Sequence, residues 1–517
     1  MTFEIVFVLL SLLGMVAALI ADKMRPGMIL FSVVVLFLCA GILTPKEMLE
    51  GFSNKGMITV ALLFLVSEGI RQSGTLGQVI KKLLPQGKTT VFKAQLRILP
   101  SVAFISAFLN NTPVVVIFAP IIKHWAKSVK LPATKFLIPL SYVTILGGIC
   151  TLIGTSTNLV VHGMILEAGF EGFSMFELGK VGIFIAIAGI VYLFIFSKRL
   201  LPDARPDTAV PDEDVEEGEK LHRVEAVLGS RFPGINKTLK EFNFQRHYGA
   251  EVKEIKTRSG QRFVTNLEDV ELHEGDTLVV MADDTFIPTW GESSVFVLLT
   301  NGNEPDTTGK KKRWFALLLL VLMIVGATVG ELPVTKELFP DIKLDMFFFV
   351  SVTTIIMAWT NLFPARKYTK YISWDILITI ACAFAISKAM VNSGVADCVA
   401  KFIIGLSDNY GPHVLLAMLF LITNLFTELI TNNAAAALAF PLALSIAAQL
   451  GVSPTPFFVV ICMAASASFS TPIGYQTNLI VQGIGNYKFM DFVRIGLPLN
   501  IITFLISIIL IPMIWNF

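Results

Sequence analysis

The sequence predicts an α-helical polytopic membrane protein of two inverted repeats of five spans each, with re-entrant hairpins and broken helices, and a small α+β domain between the repeats. Three observations predict it. Across 517 residues the chain is 54% hydrophobic and 15% charged with a mean hydropathy of +0.70, too apolar for a water-soluble chain. Roughly ten stretches reach the length of about 20 apolar residues that a helical span needs. Short polar motifs recur at a fixed offset of 320 or 321 residues (387 − 67 = 320; 432 − 111 = 321).

The spans fall at about 3–20, 27–43, 57–72, 133–163 with a break, 180–197, 314–331, 346–362, 374–391, 455–485 with a break and 495–514. Two further apolar segments, about 96–128 and 412–449, read as too interrupted to cross. The first span has no preceding Lys or Arg and no small-residue cleavage site, so it reads as a retained helix rather than a signal peptide. Lys and Arg cluster in alternate loops, at Lys23 and Arg25, Lys81 to Arg97, Lys198 and Arg199, Lys310 to Arg313, Arg366 to Lys370, and Lys488 and Arg494. The intervening loops are acidic, with Glu167, Glu171 and Glu177, or Glu331, Glu337 and Asp341. By the positive-inside rule both termini face outward across a cell membrane and the middle segment is cytoplasmic. Five crossings per half is an odd number, so a duplicated half is inserted upside down.

The repeat is visible in three blocks. Ser67 to Gly74 answers Ser387 to Gly394, Asn111 with Pro120 answers Asn432 with Pro441, and Thr157 to Gly163 answers Thr477 to Gly483. The membrane repeats therefore occupy residues 1–200 and 310–517, with residues 203–300 between them. That insert holds 19 of the 39 acids between Asp203 and Asp284 and belongs in water. It opens with an acidic linker, Pro202 to Lys220, and continues with strands near Leu221 to Leu228, Glu251 to Thr257 and Leu267 to Ala282, a short helix near Thr238 to Tyr248, and a Ser259-Gly260 turn.

Chemistry concentrates where polar residues interrupt apolar sequence. Asn110-Asn111-Thr112-Pro113 and Thr431-Asn432-Asn433 mark the tips of two re-entrant hairpins, the first entering from the cytoplasm and the second from outside. Gly147-Gly148 with Gly154 to Asn158 breaks one span, and Ser470 to Asn478 breaks its partner. Irregular backbone at membrane depth is tolerated where it is buried in protein or lines a watery cavity. Helix N-termini there favour anions, and free carbonyls, hydroxyls and amides suit a hard cation. One such motif alone reads as a kink; four in two matched pairs read as a site. The matched tip and break motifs contain no Lys, Arg or acid, so a bound anion needs dipoles and co-bound cations.

These motifs resemble the divalent anion/sodium symporter family, and the resemblance covers both membrane halves. It implies sodium at Ser106, Asn110, Asn111 and the backbone of Gly154, and a second sodium at Thr427, Asn432 and the backbone of Gly474. It implies an anion at Asn111, Thr112, Thr155, Asn432, Asn433 and Tyr475, with Asn158 and Asn478 in support beside the tips. The tips depart from the family's Ser-Asn-Thr, and Ser156-Thr157 and Gln476-Thr477 stand where dicarboxylate carriers carry Pro-Pro. An inward Tyr475 leaves less room and favours sulfate over a dicarboxylate. The resemblance also implies a homodimer. The insert's Leu272 to Val280 is similar to the TrkA-C lobe of potassium-conductance regulators, which implies a small-molecule regulator or a dimer contact.

Other groups weigh less. Glu68 and Lys388 occupy matched positions and invite a buried pair or, alternatively, two span ends snorkelling to water. Glu428 reads as a hydrogen-bond anchor for hairpin backbone or a proton-coupling carboxylate; His162 has a weak claim because its partner is Gln482. Cys39, Cys150, Cys382, Cys398 and Cys462 show no metal or disulfide spacing. No enzyme constellation and no nucleic-acid surface is visible; the rival class is a ligand-gated channel, for which no filter-like run is present.

Overall fold

The computed structural model describes residues 3–21, 24–85, 87–203, 222–229, 231–257, 261–283, 286–290, 295–300, 310–330, 332–338, 342–406 and 411–517. Most of the acidic linker, the Ser259-Gly260 turn, Glu331 and Asp341 lie outside the described residues.

The first half contains α1 (Phe3–Ala21), α2 (Pro26–Cys39), α3 (Lys55–Gln72), α4 (Val91–Ser106), α5 (Asn111–Ser128), α6 (Leu137–Gly148), α7 (Ser156–Glu167) and α8 (Gly179–Leu200). The second contains α9 (Lys310–Gly330), α10 (Met346–Trp359), α11 (Trp374–Asn392), α12 (Gly411–Leu429), α13 (Asn432–Leu450), α14 (Thr455–Ser466), α15 (Gln476–Gly485) and α16 (Phe489–Ile514). Each of the ten expected spans holds an apolar helix; six are long and apolar enough to cross a membrane, and four are shorter. The segment 412–449 differs from expectation. It is two 19-residue arms, α12 and α13, each apolar enough to cross by length and composition. The polar residues about the joint, Asn424, Glu428, Thr431, Asn432 and Asn433, made the whole segment read as interrupted.

α6 and α7 are 12 residues each, about 18 Å of helix at 1.5 Å per residue, so each covers roughly half a bilayer. A non-helical stretch separates them, and another separates α14 from α15. The broken elements sit inside the bundle: α6 packs on α4, α5 and α8, and α14 on α12, α13 and α16. Small residues permit the approach, and a Cβ on Gly147 would strike the Ala103 carbonyl of α4.

The insert forms a five-stranded sheet in the order β4-β3-β6-β1-β7 and a two-stranded pair β2-β5, where β1 is His222–Leu228, β2 Lys237–Thr238, β3 Glu251–Lys256, β4 Arg262–Phe263, β5 Glu271–Leu272, β6 Thr277–Ala282 and β7 Phe296–Thr300. Pairing within the large sheet is antiparallel. The expected strands and helix are present, but the edge strand β7 and the break of 267–282 into β5 and β6 go beyond the sequence reading. Gly275 causes that break, because its φ of +86° turns the chain in a way L side chains rarely adopt. Phe232, Phe242, Phe244, Tyr248 and Phe296 form the insert's own aromatic core.

The insert docks on the helices. Val227 packs into the helical core rather than into the sheet's own. Lys123 on α5 donates to both carboxylate oxygens of Glu225 at 3.0 and 3.1 Å, and Lys256 stands 3.7 Å away. Burial pushes the Glu225 carboxyl up, but the two lysines outweigh it and hold it below the usual carboxylate range.

Glu68 and Lys388 do not pair. Glu68 binds Arg71 at 2.6 Å and Gln72 at 2.5 Å on its own helix. Lys388 lines a cavity together with Lys55, and Lys55 lies 13 residues before Glu68, about 20 Å along α3. Matched sequence positions are here far apart in space.

Candidate functional site

The two breaks are built by the same device. Asn158 Nδ2 donates to the carbonyls of Gly148 at 3.4 Å and Thr151 at 2.9 Å; Asn478 Nδ2 donates to those of Ser468 at 3.0 Å and Thr471 at 3.1 Å. Thr151 Oγ1 accepts from the Gly154 N–H at 3.1 Å, and Thr471 Oγ1 from the Gly474 N–H at 3.3 Å. Each threonine hydroxyl also donates to a hairpin carbonyl, Thr151 to Ala107 and Thr471 to Glu428. A backbone stretched out of a helix leaves carbonyls and N–H groups that must find partners when buried. These Asn and Thr side chains supply them, so the loops are held open in a fixed shape.

Tyr475 ties the two halves together. Its hydroxyl accepts from Asn111 Nδ2 at 2.7 Å and lies 3.0 Å from Thr155 Oγ1. Asn111 Oδ1 in turn accepts from Ser106 Oγ at 2.8 Å. Ser106, Asn111, Thr155 and Tyr475 are all buried. A second set of contacts joins the tips to the opposite breaks: Thr112 Oγ1 donates to Gln476 Oε1 at 3.3 Å, and Ser156 and Thr157 donate to Asn433 Oδ1 at 3.3 and 3.2 Å. Both α5 and α13 begin at a tip, so their free N–H groups face this cluster.

The structure therefore brings together Ser106, Asn111, Thr112, Thr155, Asn433 and Tyr475, with Asn432 beside Asn433 at the start of α13. A Cβ on Gly148 would lie 2.7 Å from Asn111 Oδ1 and 3.1 Å from the Gly154 carbonyl, so those two oxygens converge on one spot. At the second break, a Cβ on Gly474 would meet Ser468 Oγ and, at 2.5 Å, the Thr427 carbonyl. Three expected placements differ. Asn110 turns to a small void with Ser67, Phe108 and Ser156. The Thr427 hydroxyl donates to Ala465 O at 2.6 Å, leaving its carbonyl rather than its hydroxyl toward Gly474. Asn158 and Asn478 clamp the break loops rather than touching the tips.

Sequence reasoning missed Ser141, Ser468, Gln476 and Asn500. Ser141 Oγ donates to Asn478 Oδ1 at 2.6 Å from the other half of the chain. Glu428 is anchored as a carboxylate acceptor: Ser470 N–H at 2.9 Å, Asn500 Nδ2 at 2.7 Å and Ser468 Oγ at 3.4 Å. Its backbone-holding reading is the one the contacts favour. His162 is partly buried with Nδ1 unpartnered, on the wall of a cavity of about 1370 Å³. That cavity is lined by the start of α3, by α7 and by Asp345, with Lys55, Lys388, Glu167 and Glu177 among its charges.

Residues 16–440 and 341–517 match the family described as CitMHS, citrate transporter. The chain is 29% identical over 94% of its length to an uncharacterised transporter of Synechocystis, covering 93% of that protein. It is 31% and 30% identical to sodium/sulfate cotransporters 2 and 1 of Chlamydomonas reinhardtii, in each case over 54% of this chain and 31% of that protein.

Proposed function

The chain belongs to that citrate transporter family, and we propose that it is a secondary active transporter coupling sodium to the symport of a small divalent anion, sulfate, by alternating access. Membership makes it a multi-pass membrane transporter rather than an enzyme; substrate, coupling ion and the two-repeat mechanism are the proposal. The observation that carries the substrate is Tyr475, whose hydroxyl fills the space between the Asn111 tip and Thr155. A compact tetrahedral dianion fits such a space better than a four- or six-carbon carboxylate. The names of two relatives, both sodium/sulfate cotransporters, point the same way.

In this mechanism sodium binds first. Ser106, Asn111 and the Gly154 carbonyl hold one ion; the Thr427 carbonyl, Asn432, Gly474 and Ser468 hold the second. Asn amides offer oxygen to a cation and NH2 to an anion, so one side chain serves both ligands. Thr112, Thr155, Asn433 and Tyr475 complete the anion site. The 320-residue correspondence makes the halves inverted repeats, with both termini outside, residues 203–300 cytoplasmic as a TrkA-C-like lobe, and the molecule a homodimer.

The test is uptake of labelled sulfate, succinate and citrate into proteoliposomes with and without an inward sodium gradient. Saturable, sodium-dependent sulfate uptake is expected. Preference for a carboxylate replaces the substrate, and uncoupled current at channel rates replaces the carrier by a ligand-gated channel.

A further inference from the structure

The insert touches the membrane half at two places that correspond, through the 320-residue offset, to the walls of the open cavity. Arg231 Nη2 donates to the Ile372 carbonyl at 3.1 Å, just before α11. The turn around Gly275 rests on α15, where a Cβ on Gly275 would lie 3.6 Å from Leu479, and Thr277 Oγ1 presses on Gly483. Subtracting 320 takes Ile372 to Phe52, beside the cavity-lining Ser53, Asn54 and Lys55, and takes Leu479 to the cavity-lining Leu159. Ser53 to Lys55 and Leu159 border open volume, whereas Ile372 is buried and Leu479 is half-buried against the insert. The covering turn is rigid. Asp276 is fully buried, its carboxylate accepts from the His273 N–H at 2.7 Å, and the Gly275 N–H donates to the Leu228 carbonyl at 2.9 Å. Leu479 lies four positions after Tyr475, so the turn sits one helical turn from the candidate site. The Lys123–Glu225 pair then fastens the same domain to α5, the arm that carries Asn111.

We propose that the insert is a plug: its His273–Thr277 turn closes the second access path, on the face opposite the open cavity, and must leave α15 before ligand exits there. This rests on the inverted-repeat reading of the transport mechanism. It makes the insert a gate whose release sets turnover, with the Lys123–Glu225 ion pair as its latch.

Two measurements test it, the first independent of substrate. In a Leu479→Cys protein, labelling by a bulky maleimide in detergent is slow; adding Lys123→Glu, which sets a carboxylate against Glu225, raises the rate about tenfold by shifting the docking equilibrium, while Lys123→Arg leaves it slow. Equal labelling in all three overturns the plug. In the second, Thr277→Cys with Gly483→Cys places a disulfide across the contact, since the Cβ positions stand 3.6 Å apart, inside the roughly 3.5–4.5 Å range of disulfides. Oxidation is expected to cut uptake at least about tenfold by blocking the gating step, and reductant to restore it; a cross-linked protein that transports at the reduced rate overturns the proposal. A wild type that takes up no sulfate counts against the substrate reading, and the labelling arm still decides the plug.

Discussion

The first break, between Gly148 and Thr155, and the second, between Ser468 and Tyr475, share their Asn clamp and their Thr turn but differ in what lies behind them. Behind the first is neutral packing: Gly148 against Asn111 and the Gly154 carbonyl. Behind the second is a carboxylate, Glu428, which holds Ser470 and Asn500, and a hydroxyl, Ser468, where the first has glycine. The asymmetry runs on into the site, because Tyr475 reaches across to Asn111 while its counterpart Thr155 is too short to reach back. A two-fold chemical frame has been made into a site with one closed, neutral end and one charge-braced end.

The largest expected effect breaks that frame at its shared element. Asn111→Ala removes the groups that bond Ser106 and Tyr475 and is expected to weaken sodium-dependent sulfate binding about 100-fold, or about 2.7 kcal/mol. Asn432→Ala is expected to cost about tenfold. Calorimetric titration of sulfate at low and high sodium reads both; equal losses would dissolve the asymmetry, and unchanged affinity in the double variant would remove the site.

Next comes the brace. Glu428→Ala strips the acceptor from the half-buried Ser470 N–H and from the buried Asn500, and is expected to lower stability by about 1–3 kcal/mol. Glu428→Gln keeps an acceptor oxygen and is expected to recover part of it. Thermal melts of the detergent-solubilised protein measure the difference, and a Glu428→Ala protein as stable as wild type would remove the brace.

Tyr475→Phe sharpens the substrate side. It removes the hydroxyl between Asn111 and Thr155, and is expected to weaken sulfate by about 3–10-fold while admitting succinate better, since one hydrogen-bond group is lost and space is gained. Competition uptake with the two anions reads the ratio; an unchanged ratio would show that Tyr475 does not set substrate size.

The smallest effect lies at the latch. Glu225 has a folded pKa held below its unfolded value of about 4.3, so its contribution is fully present above that value and is lost as pH falls through the lowered folded one. Melting temperatures from pH 7 to pH 3 are expected to fall less steeply in Glu225→Gln than in wild type; parallel curves would mean that the pair with Lys123 adds nothing.

Much of this was legible before any fold. Apolar run lengths located the spans, because a bilayer demands about 20 residues per crossing. The offset of 320 or 321 located both bends, because the same Asn, Thr and Gly side chains tie the backbone at each. Asn111 and Asn432 followed from that register, as did the acidic insert from its charge. What the linear pattern does not carry is which side chains meet across halves. Ser141 reaching Asn478, Ser156 reaching Asn433 and Thr112 reaching Gln476 join residues 277 to 364 positions apart. Glu68 and Lys388 show the same limit from the other side, matched in sequence and separated in space. Periodicity and composition act locally, whereas a hydrogen bond needs atoms about 3 Å apart, and only the packing of the two halves sets that distance. The direction of Tyr475 and the resting place of the Gly275 turn on α15 were decided there.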